Sequence, residues 1–151
     1  MRSEIIERVA LDLLSVPPLI FRLLRRTLIK TTLADITADV KLIHFEILHL
    51  LKIEGKLHVA EIGEKLQIAK AQMTHLIEKL VELDLVARKS DAADRRILNI
   101  DLTAKGKNLL EEHENAMLNA VRDNMSSLSE KELATLSSSL RNLRDTLCKL
   151  Q

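Results

Sequence analysis

Between Leu83 and Thr103 the apolar spacing of this 151-residue chain changes from the steps of a helix to the alternation of a strand. Before that point Met73, Leu76, Ile77, Leu80 and Leu83 recur at helical steps and make one buried face, while Lys70, Ala71, Gln72, Thr74, His75 and Glu78 lie on the opposite face. After it, Leu98, Ile100 and Leu102 alternate with Asn99 and Asp101, the pattern of a strand with one side buried. Residues 85–89 can pair with that strand across the polar turn SDAAD. A single short hairpin inside an otherwise helical chain leaves few folds open.

The remaining segments read as helix. In residues 3–14, Ile5, Ile6, Val9 and Leu13 form a helical stripe. Pro17 and Pro18 are expected to interrupt it and to start a second helix that runs to about residue 30. Residues 31–40 read as a loop, and KLIHFEILHLLKI at 41–53 as an apolar helix stopped by Gly55. Residues 58–83 form two short helices, about 59–66 and 69–83. Gly63 sits inside the first, where glycine costs about 1 kcal/mol relative to alanine; a close crossing by the second helix accounts for it. Thr103 supplies an N-cap for a helix reaching about residue 124, and Ser129 with Glu132 has the capping-box spacing. A last amphipathic helix carries Leu133, Leu136, Leu140, Leu143 and Leu147. The expected fold of this single chain, 1–151, is mainly α with a small β-hairpin wing. A winged helix-turn-helix unit at 40–110 is flanked by dimerisation helices at 1–35 and 117–151.

Composition narrows the function. With 46% hydrophobic and 30% charged residues the chain is globular and long enough for a real core. No apolar run suits a bilayer span and no charged start leads into an apolar stretch, so a cytoplasmic protein without membrane contact is expected. Cys148 is the one cysteine, which excludes an internal disulfide framework. Phe21 and Phe45 are the only aromatics among Phe, Trp and Tyr, which disfavours a binder that stacks single-stranded bases on rings. Net charge is only +1, so contact with nucleic acid has to come from a local basic surface. There is no phosphate-cradling glycine loop, supported carboxylate pair or credible nucleophile, so neither an enzyme nor a cofactor is expected. His44, His49, His58, His75 and His113 include no pair at helical i,i+4 spacing, and no metal is expected.

The short helix pair and the hairpin carry the chemistry. A helix-turn-helix sets its second helix in a major groove with its N-terminal residues against base edges. There Gln72 can donate to and accept from adenine, Thr74 can meet a base edge or thymine methyl, and Lys70 can reach a phosphate. Over residues 85–107 six basic residues (Arg88, Lys89, Arg95, Arg96, Lys105, Lys107) face three acids (Asp91, Asp94, Asp101). An arginine at the hairpin tip suits the negative potential of a narrow minor groove. Asp94, unfavourable beside phosphate, has a use as a clamp that holds an arginine in a fixed fork. Each feature alone has a plainer reading: a helical hairpin with a solvated face, and a surface hairpin with ion pairs worth at most about 1 kcal/mol each. A winged helix that binds protein without specific DNA recognition is the alternative function. Apolar stripes on 3–30 and 117–150 exceed what the central unit can cover, and a two-fold dimer would bury them and space two reading helices about one DNA turn apart.

The run IGEKLQIAKAQMTHLIEKLVELDLVARKSDAADRRILNIDLTAKG resembles the MarR family of bacterial and archaeal transcriptional regulators. Its most specific pieces are DRR at 94–96 and LTAKG at 102–106. The resemblance covers residues 40–110 by motif and the whole chain by order of elements. It implies an obligate homodimer on double-stranded DNA at a pseudo-palindromic operator, usually repressing, and in many members released by a small ligand. Carried over, it makes Lys70, Ala71, Gln72, Thr74 and His75 the start of the reading helix and Arg95 the wing-tip arginine. Asp94 and Arg96 become the wing's brace, with Arg88 nearby on the other strand, and Arg88, Lys89 and Arg96 join Arg95 as expected DNA-binding residues. An apolar or aromatic effector between the dimer helices and the winged unit, lined by Ile20, Phe21, His44 and Phe45, is a further implication. The family usually has glycine in the helix-helix turn and again after the reading helix; Gln67 and Asp84 stand there in this chain.

Overall fold

The computed structural model describes the backbone of residues 1–32 and 39–150, and the side chains of residues 1–25 and 39–150. The elements run α1 (Arg2–Thr32), α2 (Leu42–Glu54), β1 (Leu57–His58), α3 (Val59–Leu66), α4 (Lys70–Glu82), β2 (Val86–Ser90), β3 (Leu98–Leu102), α5 (Ala104–Met125) and α6 (Glu130–Leu147). The fold is mainly helical with a small antiparallel sheet. Two compact units result: Met1–Arg26 with Met117–Gln151, and Thr27–Ala116.

In the first unit α1 is one helix through Pro17 and Pro18, where two were expected. The proline rings fix φ near the helical value, so they remove two backbone donors without forcing the chain out of helical geometry. The loop expected at 31–40 falls mainly outside the described residues; Thr31 and Thr32 still belong to α1. Helix α6 opens with the anticipated capping box. Ser129 donates its backbone N–H to Glu132 Oε2 at 2.8 Å, and Ser129 Oγ accepts the Glu132 N–H at 3.3 Å.

The second unit is built around β3. The sheet order is β1-β3-β2, so β3 has a partner on each side: Leu57 and Arg88 both face Ile100. Strand β1 was not anticipated, because two residues carry no alternation to read. Its pairing explains a second departure: Leu98 is 47% exposed and Asn99 is buried, opposite to simple alternation. Asn99 lies between His58 and Lys89, and its amide donates to Asp91 Oδ2 at 3.1 Å, which satisfies its buried polar group. Ile47 and Leu48 of α2, Ile62 of α3, Met73, Ile77 and Leu80 of α4, and Ile100 are fully buried together. Side chains of this size contribute about 1.5–3 kcal/mol each on burial.

The turn between α3 and α4 rests on a close backbone approach at Gly63 and a left-handed residue at Gln67. A Cβ on Gly63 would lie 3.1 Å from the Ile68 carbonyl oxygen and 3.8 Å from Met73 Cβ, so the close crossing inferred for Gly63 is present. Gln67 takes the left-handed conformation (φ 55°, ψ 43°), with the Ile68 N–H bonded to the Gly63 carbonyl at 2.8 Å. Asp84 does the same after α4, at φ 58°. The geometry is therefore the one that glycine usually serves, held by two residues with side chains; aspartate tolerates it better than glutamine. Gln67→Gly is expected to raise unfolding free energy by about 0.5–1 kcal/mol, read from urea denaturation. An unchanged or lower midpoint would show that Gln67 carries no backbone strain.

Candidate nucleic-acid interface

Helix α4 has one anchored face and one open face. Met73, Ile77 and Leu80 are fully buried, whereas Lys70, Ala71, Gln72, Thr74, His75 and Glu78 are exposed. The helix starts at Ala69, which provides no side-chain cap. Backbone N–H groups of its first turn therefore stay available in front of the helix, where the helix dipole favours an anion. Thr74 Oγ1 donates back to the Lys70 carbonyl at 3.0 Å, which fixes its rotamer. His75 Nδ1 lies 3.7 Å from Glu78 Oε2.

The wing joins β2 to β3 through residues 91–97, and its acids organise it. Asp91 Oδ1 accepts the Ala93 N–H at 2.8 Å; together with the Asn99 bond this holds its carboxyl below the usual carboxylate range. Asp94 Oδ1 accepts the Arg96 backbone N–H at 3.0 Å and its Nε at 3.3 Å. The brace expected of Asp94 and Arg96 is thus present as a contact. Lys89 Nζ donates to Asp101 Oδ2 at 2.9 Å and lowers that carboxyl. Arg95 and Arg88 are exposed, with no ion-pair partner among the described residues. Sequence reasoning missed Asp91 and Asn99 as wing supports. The signal was Asp91 two residues before Ala93, an Asx-turn spacing.

The four residues expected to line an effector site fall in different units. Ile20 and Phe21 are exposed on α1. His44 and Phe45 are buried in the second unit and already have partners there. His44 Nδ1 accepts the Lys41 N–H at 2.9 Å, capping α2, and Phe45 stacks on His113 with ring centroids 3.7 Å apart. A cleft of about 240 Å³ in that unit lies elsewhere, against Leu51, Gly55, Leu102 and Glu111. Among the described residues no three His, Cys, Asp or Glu side chains gather as a metal-binding group. No helix there is long and apolar enough to cross a membrane.

Two short helices, an open second helix and a braced hairpin define a winged helix-turn-helix protein. Residues 38–97 match the profile of the MarR family. YsmB of Bacillus subtilis, described as an uncharacterized HTH-type transcriptional regulator, is 30% identical over 90 residues, 60% of this chain and 62% of YsmB. A MarR family protein of Bacillus stearothermophilus has a solved structure of the same fold. It is 25% identical, with a TM-score of 0.75 over 94% of this chain and 97% of that one. FabT of Streptococcus pneumoniae, solved in complex with DNA, shares the fold at 19% identity, with a TM-score of 0.73 over 96% and 99% of the two chains. Over residues 38–97 the chain is similar to the MarR family, and along most of its length it shares the fold of a MarR family protein.

Two histidines of the winged unit make its stability depend on pH. Burial, and then the Lys41 and Lys79 charges, push His44 below the usual histidine range; burial does the same to His113 against the opposing pull of Glu114. The unfolded chain therefore takes up these protons first, near pH 6.5. The stability they contribute is complete above that pH and is lost as pH falls through it toward the lower folded values. Urea midpoints should drop as pH is lowered from neutrality to about 5, and His113→Gln should flatten the drop. The same slope in His113→Gln would remove His113 from the account.

Proposed function

We propose that this chain is a sequence-specific transcriptional regulator that binds double-stranded DNA as a homodimer at a pseudo-palindromic operator, as a repressor released by a small apolar or aromatic effector. The observation that carries the reading is the pairing of an anchored reading helix with a wing whose cations are sorted. Asp101 holds Lys89 and Asp94 holds Arg96, while Arg95 stands exposed near the tip. In this reading α4 enters the major groove, with Gln72, Thr74 and His75 against base edges and Lys70 and the helix start at a phosphate. Arg95 enters the adjacent minor groove, and Arg88 and Lys89 follow the backbone. The regulator name of YsmB and the DNA complex of FabT support the same assignment.

Homodimerisation is supported by the first unit. Ile5, Ile6, Val9, Leu13 and Phe21 of α1 are exposed, Ile6 by 60% and Phe21 by 61%. Helix α6 has no buried residue, and Leu133, Leu136 and Leu140 stand open. Apolar surface repeated along two helices is costly in water, and a second copy is the partner with matching stripes.

Selection of duplexes from a random-sequence library, repeated across a potassium chloride series, tests DNA recognition. An inverted repeat whose affinity falls steeply with salt is expected. Arg95→Ala should weaken binding to that duplex by about 1–3 kcal/mol while the oligomer persists. No enriched duplex at low salt would contradict the proposal. For the dimer, Leu136→Glu with Leu140→Glu should sediment as a monomer or lose its fold; a variant that remains a folded dimer would contradict the α6 interface.

A further inference from the structure

The start of α5 grips the end of α4 at three successive carbonyls. Lys105 Nζ donates to the Leu83 carbonyl at 2.9 Å. Thr103 Oγ1 donates to the Asp84 carbonyl at 2.6 Å, and the Thr103 N–H to the Leu85 carbonyl at 3.2 Å. Backbones meet directly beside these bonds: a Cβ on Gly106 would lie 2.0 Å from the Leu85 carbonyl oxygen. Asp84, the residue in the middle of the grip, holds the left-handed conformation that turns the chain out of α4.

The carbonyls at a helix C-terminus carry partial negative charge and lack intrahelical donors, so an ammonium there is favourable. Lys105 is the charged member of the grip, and its nitrogen is committed to α4. It sits among the basic residues of the wing segment, where charge alone would count it as one more phosphate contact. Helix α5 then continues past residue 117, so the grip joins α4 to a helix that contributes residues to both units, as α1 also does.

We propose that Lys105 is a positioning residue for sequence reading: through the Leu83 carbonyl it fixes the set of α4, and it does not contact phosphate. The inference rests on the DNA-reading function proposed above. A tilted reading helix loses base-edge geometry while the protein's attraction for any duplex remains, so the specific and non-specific affinities separate.

The test compares wild type, Lys105→Met and Lys105→Arg, each full-length, on the duplex selected by wild type and on a scrambled duplex of the same length. Lys105→Met keeps the apolar stem and removes the donor. Its affinity for the selected duplex should fall about fivefold, with affinity for the scrambled duplex and the salt slope unchanged. Lys105→Arg should recover most of the loss. A salt slope smaller by about 0.9, with both duplexes weakened alike, would make Lys105 a phosphate contact and overturn the inference. A lower melting temperature with both affinities intact would reduce it to a stability role and overturn it too. If wild type itself prefers no duplex, the DNA-reading function fails and this inference falls with it. If wild type is selective and Lys105→Met is equally so, this inference alone fails.

Discussion

The winged unit depends on β3 being bonded on both edges. Ile100 stands opposite Leu57 on one side and Arg88 on the other, and its side chain is fully buried. An isolated two-stranded hairpin is only marginally stable in water. The third strand and the helices beneath convert this hairpin into a fixed arm. One end of β3 carries the wing, where Asn99 reaches Asp91; the other runs directly into Thr103 and the start of α5. Wing and α5 are therefore tied to a single strand five residues long, and α4 packs against its neighbour β2.

Charge is organised locally. With a net charge of only +1 the chain's attraction for DNA has to come from local basic surface, and a wing of loose lysines and arginines would add little specificity. Three aspartates do the sorting. Asp91 folds the turn, Asp94 holds Arg96, and Asp101 holds Lys89. An acid beside a nucleic-acid surface is costly unless it fixes a cation or the backbone, and each of these does one or the other. The exposed pairs are worth little as stability, and their effect is geometric.

Much of the second unit, and the start of α6 in the first, was legible because the signals are periodic or stereochemical. The boundaries of α3, the apolar face of α4, the Thr103 cap and the Ser129–Glu132 box follow from spacing and from donors that need acceptors. The exposed face of α4 was legible for the same reason, as the complement of the buried one. What was not legible depended on partners distant in sequence. Strand β1 exists only because β3 lies beside it, and Asn99 is buried where it pairs with β1 and bonds to Asp91. Pro17 and Pro18 read as a break, since local rules count the lost bonds and not the proline φ that suits a helix. Gln67 and Asp84 show that a left-handed turn can be kept without glycine when the surrounding bonds determine it.

In the proposed function the open face of α4 and the tip of the wing form one DNA-reading surface. The direct measurement is backbone amide mapping by NMR, or hydrogen exchange, during titration with a selected duplex. Perturbation and protection should concentrate at residues 70–78 and 91–98, with α2 quiet. Changes confined to other surfaces, with both segments unaffected at saturation, would contradict it.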